Sequence, residues 1–151
     1  MKIVICPDSF KGSLCAIDVA KAIKKGMQTV LPQAQYLILP MADGGEGTID
    51  ALLNAIGGKK YKATVFDPLG RKIRAEYAIL SDGTGVIEMA SASGLPLLKP
   101  EERNPLITST CGTGQLILEI IKKGIHSILI GAGGSATVDG GMGMAKALGV
   151  K

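Results

Sequence analysis

Three short segments of this 151-residue chain bring together residue types that can do chemistry. The first is Pro7-Asp8-Ser9-Phe10-Lys11-Gly12-Ser13, a carboxylate, a cation and two hydroxyls just before an expected helix start. Free N–H groups and the dipole at a helix N-terminus attract anions. Lys11 can hold a phosphate or a substrate carboxylate, and Asp8 can bind Mg²⁺ or accept a proton. The plainer alternative is that Ser13 caps the helix and Asp8 shapes a turn. The second segment is Ala42-Asp43-Gly44-Gly45-Glu46-Gly47-Thr48. Its glycines let backbone approach a ligand closely, and Asp43 and Glu46 bracket that approach. Two acids beside bare amides suit metal-assisted work on an anion. A tight turn with acidic residues at a helix start is the competing reading. The third segment runs from Gly131 to Gly143 and includes Gly133, Gly134, Ser135, Thr137 and Asp139. Gly131, Gly133 and Ala136 formally fit the dinucleotide pattern G-x-G-x-x-A, which would make the chain part of an NAD(P)-binding oxidoreductase. The glycines continue into Asp139-Gly140-Gly141, however, where that pattern wants an uninterrupted helix. No G-x-x-x-x-G-K-[ST] sequence occurs, which argues against a P-loop nucleotide site.

Smaller signals accompany these three. Glu88, Ser91 and Ser93 form a polar exit from an expected strand that can line a cleft or make a solvated turn. Thr108–Gly114 sets hydroxyls and glycines before a helix. His126 stands alone before a strand and reads as a structural or surface residue. Cys6 lies in an expected buried strand and reads as inert core.

Each of the three segments must be positioned by a strand that ends where it begins. Lys2–Cys6 is a short apolar run stopped by Pro7. Apolar residues at Ile17, Ala20, Ile23, Met27, Val30 and Leu31 then follow a helical period. Tyr36–Leu39 reads as a second strand and Thr48–Ile56 as a second helix, closed by Gly57-Gly58. The period then changes to two. Tyr61, Ala63 and Val65, then Ile73, Ala75, Tyr77 and Ile79, alternate with polar residues, and Val86–Met89 follows after a turn. This predicts an antiparallel meander. Leu116–Lys123 reads as a helix, Ser127–Ile130 as a buried strand and Met144–Leu148 as a further helix.

The expected fold is α/β: a Rossmann-like parallel sheet with flanking helices, plus a small antiparallel meander belonging to a second domain. The divisions fall at residues 1–58 for the N-terminal α/β segment, 59–105 for the meander and connector, and 106–151 for an α/β segment cut short at its end. Ligands of open α/β sheets collect outside the carboxyl ends of the strands, where the three segments lie.

Composition narrows the function. Apolar residues make up 46% and charged residues 20%, which excludes a disordered chain. Aromatic residues are only 3% with no Trp, too few for a base-stacking nucleic-acid binder. The net charge of +4 suits handling of small anions. No apolar run approaches the ~20 residues of a membrane span, and Met1–Cys6 is too short for a signal peptide. Cys6, Cys15 and Cys111 form no metal spacing and no even set, so a reduced, cytoplasmic setting is expected.

Five stretches, PDSFKGSL at 7–14, PMADGGEGT at 40–48, EMASASGL at 88–95, STCGTGQLI at 109–117 and GGSATVDGGMGM at 133–144, together resemble the N-terminal part of the bacterial glycerate kinase family. The resemblance implies transfer of the ATP γ-phosphoryl group to D-glycerate with Mg²⁺, generally giving 2-phosphoglycerate, in a cleft between two α/β domains. It places Asp8, Lys11, Asp43 and Asp139 among catalytic groups, with Asp43 and Asp139 toward the metal. Ser9, Gly44, Gly45, Glu46, Ser91, Ser93, Gly133, Gly134, Ser135 and Thr137 are expected around substrate and phosphates. The family usually has Tyr at the place of Cys111, often Glu at Gln115, and usually Asn at Val138. Its chains are more than twice as long. The resemblance therefore implies a truncated portion with little or no kinase activity of its own, and as partners either a second copy or a complementing C-terminal chain. The remaining alternative is a non-catalytic truncated partner protein.

Overall fold

The computed structural model describes residues 1–151. Strand β1 (Lys2–Ile5) and strand β2 (Gln35–Ile38) pair in parallel, Lys2 opposite Gln35 and Ile5 opposite Ile38. Helix α1 (Ala16–Val30) connects them and buries Val19 and Ala20. The helix does not begin at Ser13. Residues 10–14 close on themselves through Phe10 N–H to Leu14 O (3.0 Å) and Ser13 N–H to Phe10 O (2.8 Å). Ser13 is held in that turn, and Cys15 takes the cap position. β1 stops at Ile5, so Cys6 is exposed and not core as expected. Helix α2 (Thr48–Ile56) has the expected bounds, between Gly47 (φ 96°) and Gly57 (φ 80°).

The period-two region folds as strands β3 (Gly58–Phe66), β4 (Lys72–Leu80) and β5 (Gly85–Glu88), joined antiparallel. Tyr61 and Tyr77 face each other across β3 and β4 with ring centroids 5.5 Å apart. The turn after β3 is held by Asp67, which accepts the Leu69 and Arg71 amides and the Arg71 guanidinium. Arg71 also reaches Glu102 at 2.7 Å, tying the turn to the proline-rich connector. A single helical turn, α3 (Ala90–Ser93), follows β5 where the sequence read as a polar strand exit, either lining a cleft or making a solvated turn. Four residues are too few to display a period.

Helix α4 (Cys111–Ile121) starts five residues earlier than its apolar spacing indicated. Gly112 and Gly114 sit inside its first turns because neighbours press against them. A β-carbon on Gly112 would lie 1.9 Å from the Phe66 carbonyl oxygen. Strand β6 (Ile128–Gly131) and helix α5 (Met142–Ala147) complete the chain.

The class is α/β, with parallel strand pairs and flanking helices. The parallel strands do not share one sheet, however. β6 pairs with β5, Gly85 opposite Ile128 and Glu88 opposite Gly131, so the meander becomes a mixed four-stranded sheet in the order β3-β4-β5-β6. β5 is buried at Gly85, Val86 and Ile87, and its second edge must be paired. Alternation along β4 and β5 decides what covers each face. Ala75, Tyr77 and Ile87 cluster with Leu116, Ile117 and Ile120 of α4, while Ala78, Leu80 and Val86 cluster with Ile49 of α2. The helix that follows the Gly-rich second segment is thereby packed on the sheet that ends in the third.

Candidate functional site

The first segment (residues 7–13) follows the carboxyl end of β1, the second (42–48) that of β2 and runs into α2, and the third (131–143) begins on the last residue of β6 and runs into α5. Backbone hydrogen bonds join the three. Met41 N–H donates to Pro7 O at 2.9 Å, and Gly133 N–H donates to Gly44 O at 3.0 Å. The approach of the second and third segments is too close for side chains. A β-carbon on Gly131 would lie 2.4 Å from Gly44 O, and one on Gly133 would lie 2.8 Å from both Gly45 Cα and N. These glycines serve backbone-on-backbone packing, a use that their density alone does not separate from ligand approach.

Lys11 and Asp43 meet across the first two segments, Nζ to Oδ2 at 3.6 Å, with both side chains largely exposed. Asp43 Oδ1 also accepts the Gly45 amide at 3.0 Å. That amide first, and then the Lys11 ammonium, hold the Asp43 carboxyl below its ordinary range, outweighing its desolvation. Asp8 is exposed and accepts the Ser9 amide at 2.6 Å. Glu46 is exposed. Of the glycine amides expected to face an anion, Gly45 serves Asp43 and Gly133 serves Gly44, while Gly44 and Gly134 donate to no protein acceptor.

Asp139 has a different surrounding. Its Oδ2 accepts Thr110 N–H and Oγ1–H, both at 2.9 Å, and Gly143 N–H at 3.0 Å. Its Oδ1 accepts Gly141 N–H at 3.2 Å. Burial alone raises the carboxyl, and this set of donors outweighs it, so Asp139 lies below its ordinary value. Thr110 Oγ1 in turn accepts Met144 N–H at 2.9 Å. Asp139 thus joins the N-termini of α4 and α5, where a negative charge is favourable. No three His, Cys, Asp or Glu side chains are grouped so that they could hold a metal ion among themselves.

Ser135 and Thr137 bond to each other, Oγ to Oγ1 at 2.9 Å, at the half-buried start of the third segment. Ser91 and Ser93 point elsewhere. Ser91 Oγ–H lies within hydrogen-bond distance of the Glu88 and Glu76 carbonyls, and Ser93 is fully buried, its Oγ 2.8 Å from Thr113 Oγ1. Ser93 touches the third segment through its carbonyl, which accepts Ala136 N–H at 2.9 Å.

Two residues matter more than sequence reasoning indicated. Thr110 completes the Asp139 network, and Glu88 Oε1 accepts Ile49 N–H at 2.7 Å, bracing the start of α2 from the end of β5. The signal for Glu88 was a charged residue at the end of an otherwise apolar strand. The dinucleotide pattern loses its required setting, because Gly131–Ala136 opens no helix and α5 starts only at Met142.

Residues 3–151 match the glycerate kinase family. The chain is 54% identical to glycerate 2-kinase of Escherichia coli K12 over 152 aligned residues, and 53% identical to glycerate kinase of Bacillus subtilis 168 over 150. These alignments cover 100% and 99% of this chain but 40% and 39% of the relatives. A solved structure described as a glycerate kinase 2 from Salmonella typhimurium LT2 superposes with a TM-score of 0.83 at 50% identity, over 98% of this chain and 40% of that one. The chain therefore spans about two-fifths of the length of the proteins it matches.

Proposed function

Because the chain belongs to the glycerate kinase family, we propose that it supplies part of the catalytic cleft of an ATP-dependent kinase acting on D-glycerate. The observation that supports this most is the meeting of the three segments around Lys11 and Asp43, at the carboxyl ends of parallel strands. A kinase needs a nucleotide, and phosphoryl transfer rests on positioning and on neutralising charge.

In this reading Lys11 binds a phosphate or the glycerate carboxylate as a point charge, and the Gly44 and Gly134 amides take anionic oxygens. Asp43 faces Mg²⁺. One exposed carboxylate fits that ion, which keeps most of its waters and takes phosphate oxygens beside one or two acids. Mg²⁺, when bound, supplies the positive charge that offsets the phosphate oxygens. Asp8 receives the proton of the attacking glycerate hydroxyl as that oxygen bonds to the γ-phosphorus and the bond to the ADP oxygen breaks. Attack by the C2 hydroxyl gives 2-phosphoglycerate. Asp139 is assigned to positioning, since its oxygens already accept four donors. Ser9, Glu46, Ser135 and Thr137 surround the bound groups.

Apolar side chains remain exposed: Val4 and Leu37 on the β1–β2 sheet, Leu39 just after β2, and Leu129 and Ile130 on β6. A parallel sheet is ordinarily covered on both faces. The rest of the relatives' length is the proposed cover, in the same polypeptide or a complementing one. No helix is long and apolar enough to cross a membrane. The three free cysteines accord with a reducing cytoplasm, where ATP is supplied.

The test is phosphoryl transfer from ATP to D-glycerate by this chain joined to the remaining length of its Escherichia coli relative. Turnover within about tenfold of the parent supports the reading, with Lys11→Ala or Asp43→Asn lowering it roughly a hundredfold or more. A folded fusion that transfers no phosphoryl group, or one indifferent to both substitutions, contradicts it.

A further inference from the structure

We propose that Glu88 is a positioning residue for the second segment, clamping the start of α2 to the end of β5 so that Asp43 is presented to Lys11 and Gly44 is pressed against Gly131. The geometry is a three-way junction. Glu88 stands opposite Gly131 in the β5–β6 register. Gly131 lies against Gly44, and Gly133 N–H bonds Gly44 O at 3.0 Å. The second segment then enters α2 through Gly47, whose left-handed backbone provides no side-chain cap. The first turn of a helix leaves N–H groups without partners. Thr48 N–H turns back to Gly45 O, and Ile49 N–H is taken by Glu88 Oε1 at 2.7 Å. No other side-chain hydrogen bond links the first turn of α2 to β5. Release of Glu88 would leave the start of α2 joined to the sheet by the apolar packing of Ile49 and the Asp50–Lys60 pair alone, neither of which fixes the backbone that leads into the second segment.

Burial is the main influence on the Glu88 carboxyl and raises it, against the Ile49 and Gly47 amides, which lower it. Asp50 on α2 pushes it further up, and Lys60 on β3, itself paired with Asp50 and Glu76, pulls it down. The third segment from Gly131 to Thr137 and the α3 turn hold no ionisable side chain. A raised carboxyl stabilises the fold fully below its unfolded value, near ~4.3, and that contribution is lost as pH rises through the folded value. Native Glu88 is kept at that cost, in keeping with a role in geometry.

This inference concerns the site proposed above, and its test uses no nucleotide, so each can fail without the other. Amide exchange and side-chain carboxyl titration are followed by NMR in the native chain, Glu88→Ala and Glu88→Gln. The expected result is about tenfold faster exchange at both Ile49 and Gly133 in Glu88→Ala, with the Asp43 carboxyl moving up as its loop loosens. Glu88→Gln retains a neutral acceptor and restores both. Faster exchange at Ile49 alone, with Gly133 and Asp43 unchanged, overturns the proposal and leaves only a local cap. Should Glu88→Ala fail to fold, the native chain decides. The Ile49 and Gly133 amides should then shift with one common midpoint, above an ordinary Glu and well separated from Asp43 below its ordinary range, and Glu88→Gln should abolish it. A Gly133 amide that ignores that midpoint overturns the proposal.

Discussion

Asp139→Ala is expected to destabilise the fold by about 3 kcal/mol, since hydrogen bonds to a charged acceptor are worth roughly 1.5–3 kcal/mol and several donors lose theirs together. The Thr110, Gly141 and Gly143 amides and the Thr110 hydroxyl all point at this carboxylate. Without it, the N-termini of α4 and α5 separate, and Gly143 has no reason to lie where even a β-carbon would come within 2.1 Å of Ser109 Oγ. Thermal melting should fall by roughly 10 °C for a chain of this size. Asp139→Asn keeps one acceptor oxygen and should lose less. The pH dependence follows from the lowered carboxyl. A group depressed by folding stabilises above its unfolded value, near ~3.9, and that stability is lost as pH falls through the folded value. The acid limb of the native stability curve should therefore be flattened in Asp139→Asn. An unchanged melting temperature in Asp139→Ala would return Asp139 to the role of a free metal or proton ligand.

Gly131→Ala is expected to cost about 2–3 kcal/mol through overpacking and to part the second and third segments. The added carbon meets the Gly44 carbonyl oxygen at 2.4 Å, and backbone cannot rotate away as a flexible side chain can. Gly131 is also a strand residue paired with Glu88, so a shift there is transmitted to the sheet. Denaturant midpoints measure the loss, and exchange at Gly133 N–H reads the separation. Gly26→Ala is the control. It lies in α1 with nothing within 4 Å, and should raise stability by about 0.5–1 kcal/mol through helix propensity. Equal effects at the two glycines would show that the close approach of the segments is not needed.

Much of this architecture could be read before any coordinates. The α2 bounds followed from an apolar stretch between the glycine-rich second segment and Gly57-Gly58, and the meander from alternation of Tyr61, Ala63 and Val65, then Ile73, Ala75, Tyr77 and Ile79, with polar neighbours. What periodicity cannot convey is which edge a strand takes. β6 carries the same apolar pattern whether it pairs beside β1 or beside β5, and only the buried second edge of β5 decides. The start of α4 was missed because Gly112 and Gly114 are poor helix formers, and contact with Phe66, Met144 and Ala147 overrides their preference.

The candidate site was legible in part for a similar reason. Residue type pointed to Lys11 and Asp43, and the structure joins them. The same type pointed to Asp139 and to the amides of Gly45 and Gly133, all of which have partners within the protein. A carboxylate that binds metal and one that caps two helices look alike in a sequence, because both are Asp beside glycines. Ser93 likewise reads as a hydroxyl near a cleft until its neighbour Thr113, twenty residues away, is found to bury it.

In the proposed function the three segments form one surface for a Mg²⁺-bound nucleotide. The most direct measurement is NMR titration of the chain with Mg-ATP, with NADH as the comparison. The Gly44 and Gly134 amides and the Lys11 and Asp43 side chains should shift together, Lys11→Ala should weaken the response about tenfold, and NADH should produce none of it. Shifts confined to other parts of the molecule, or a response to NADH in preference to Mg-ATP, would contradict it.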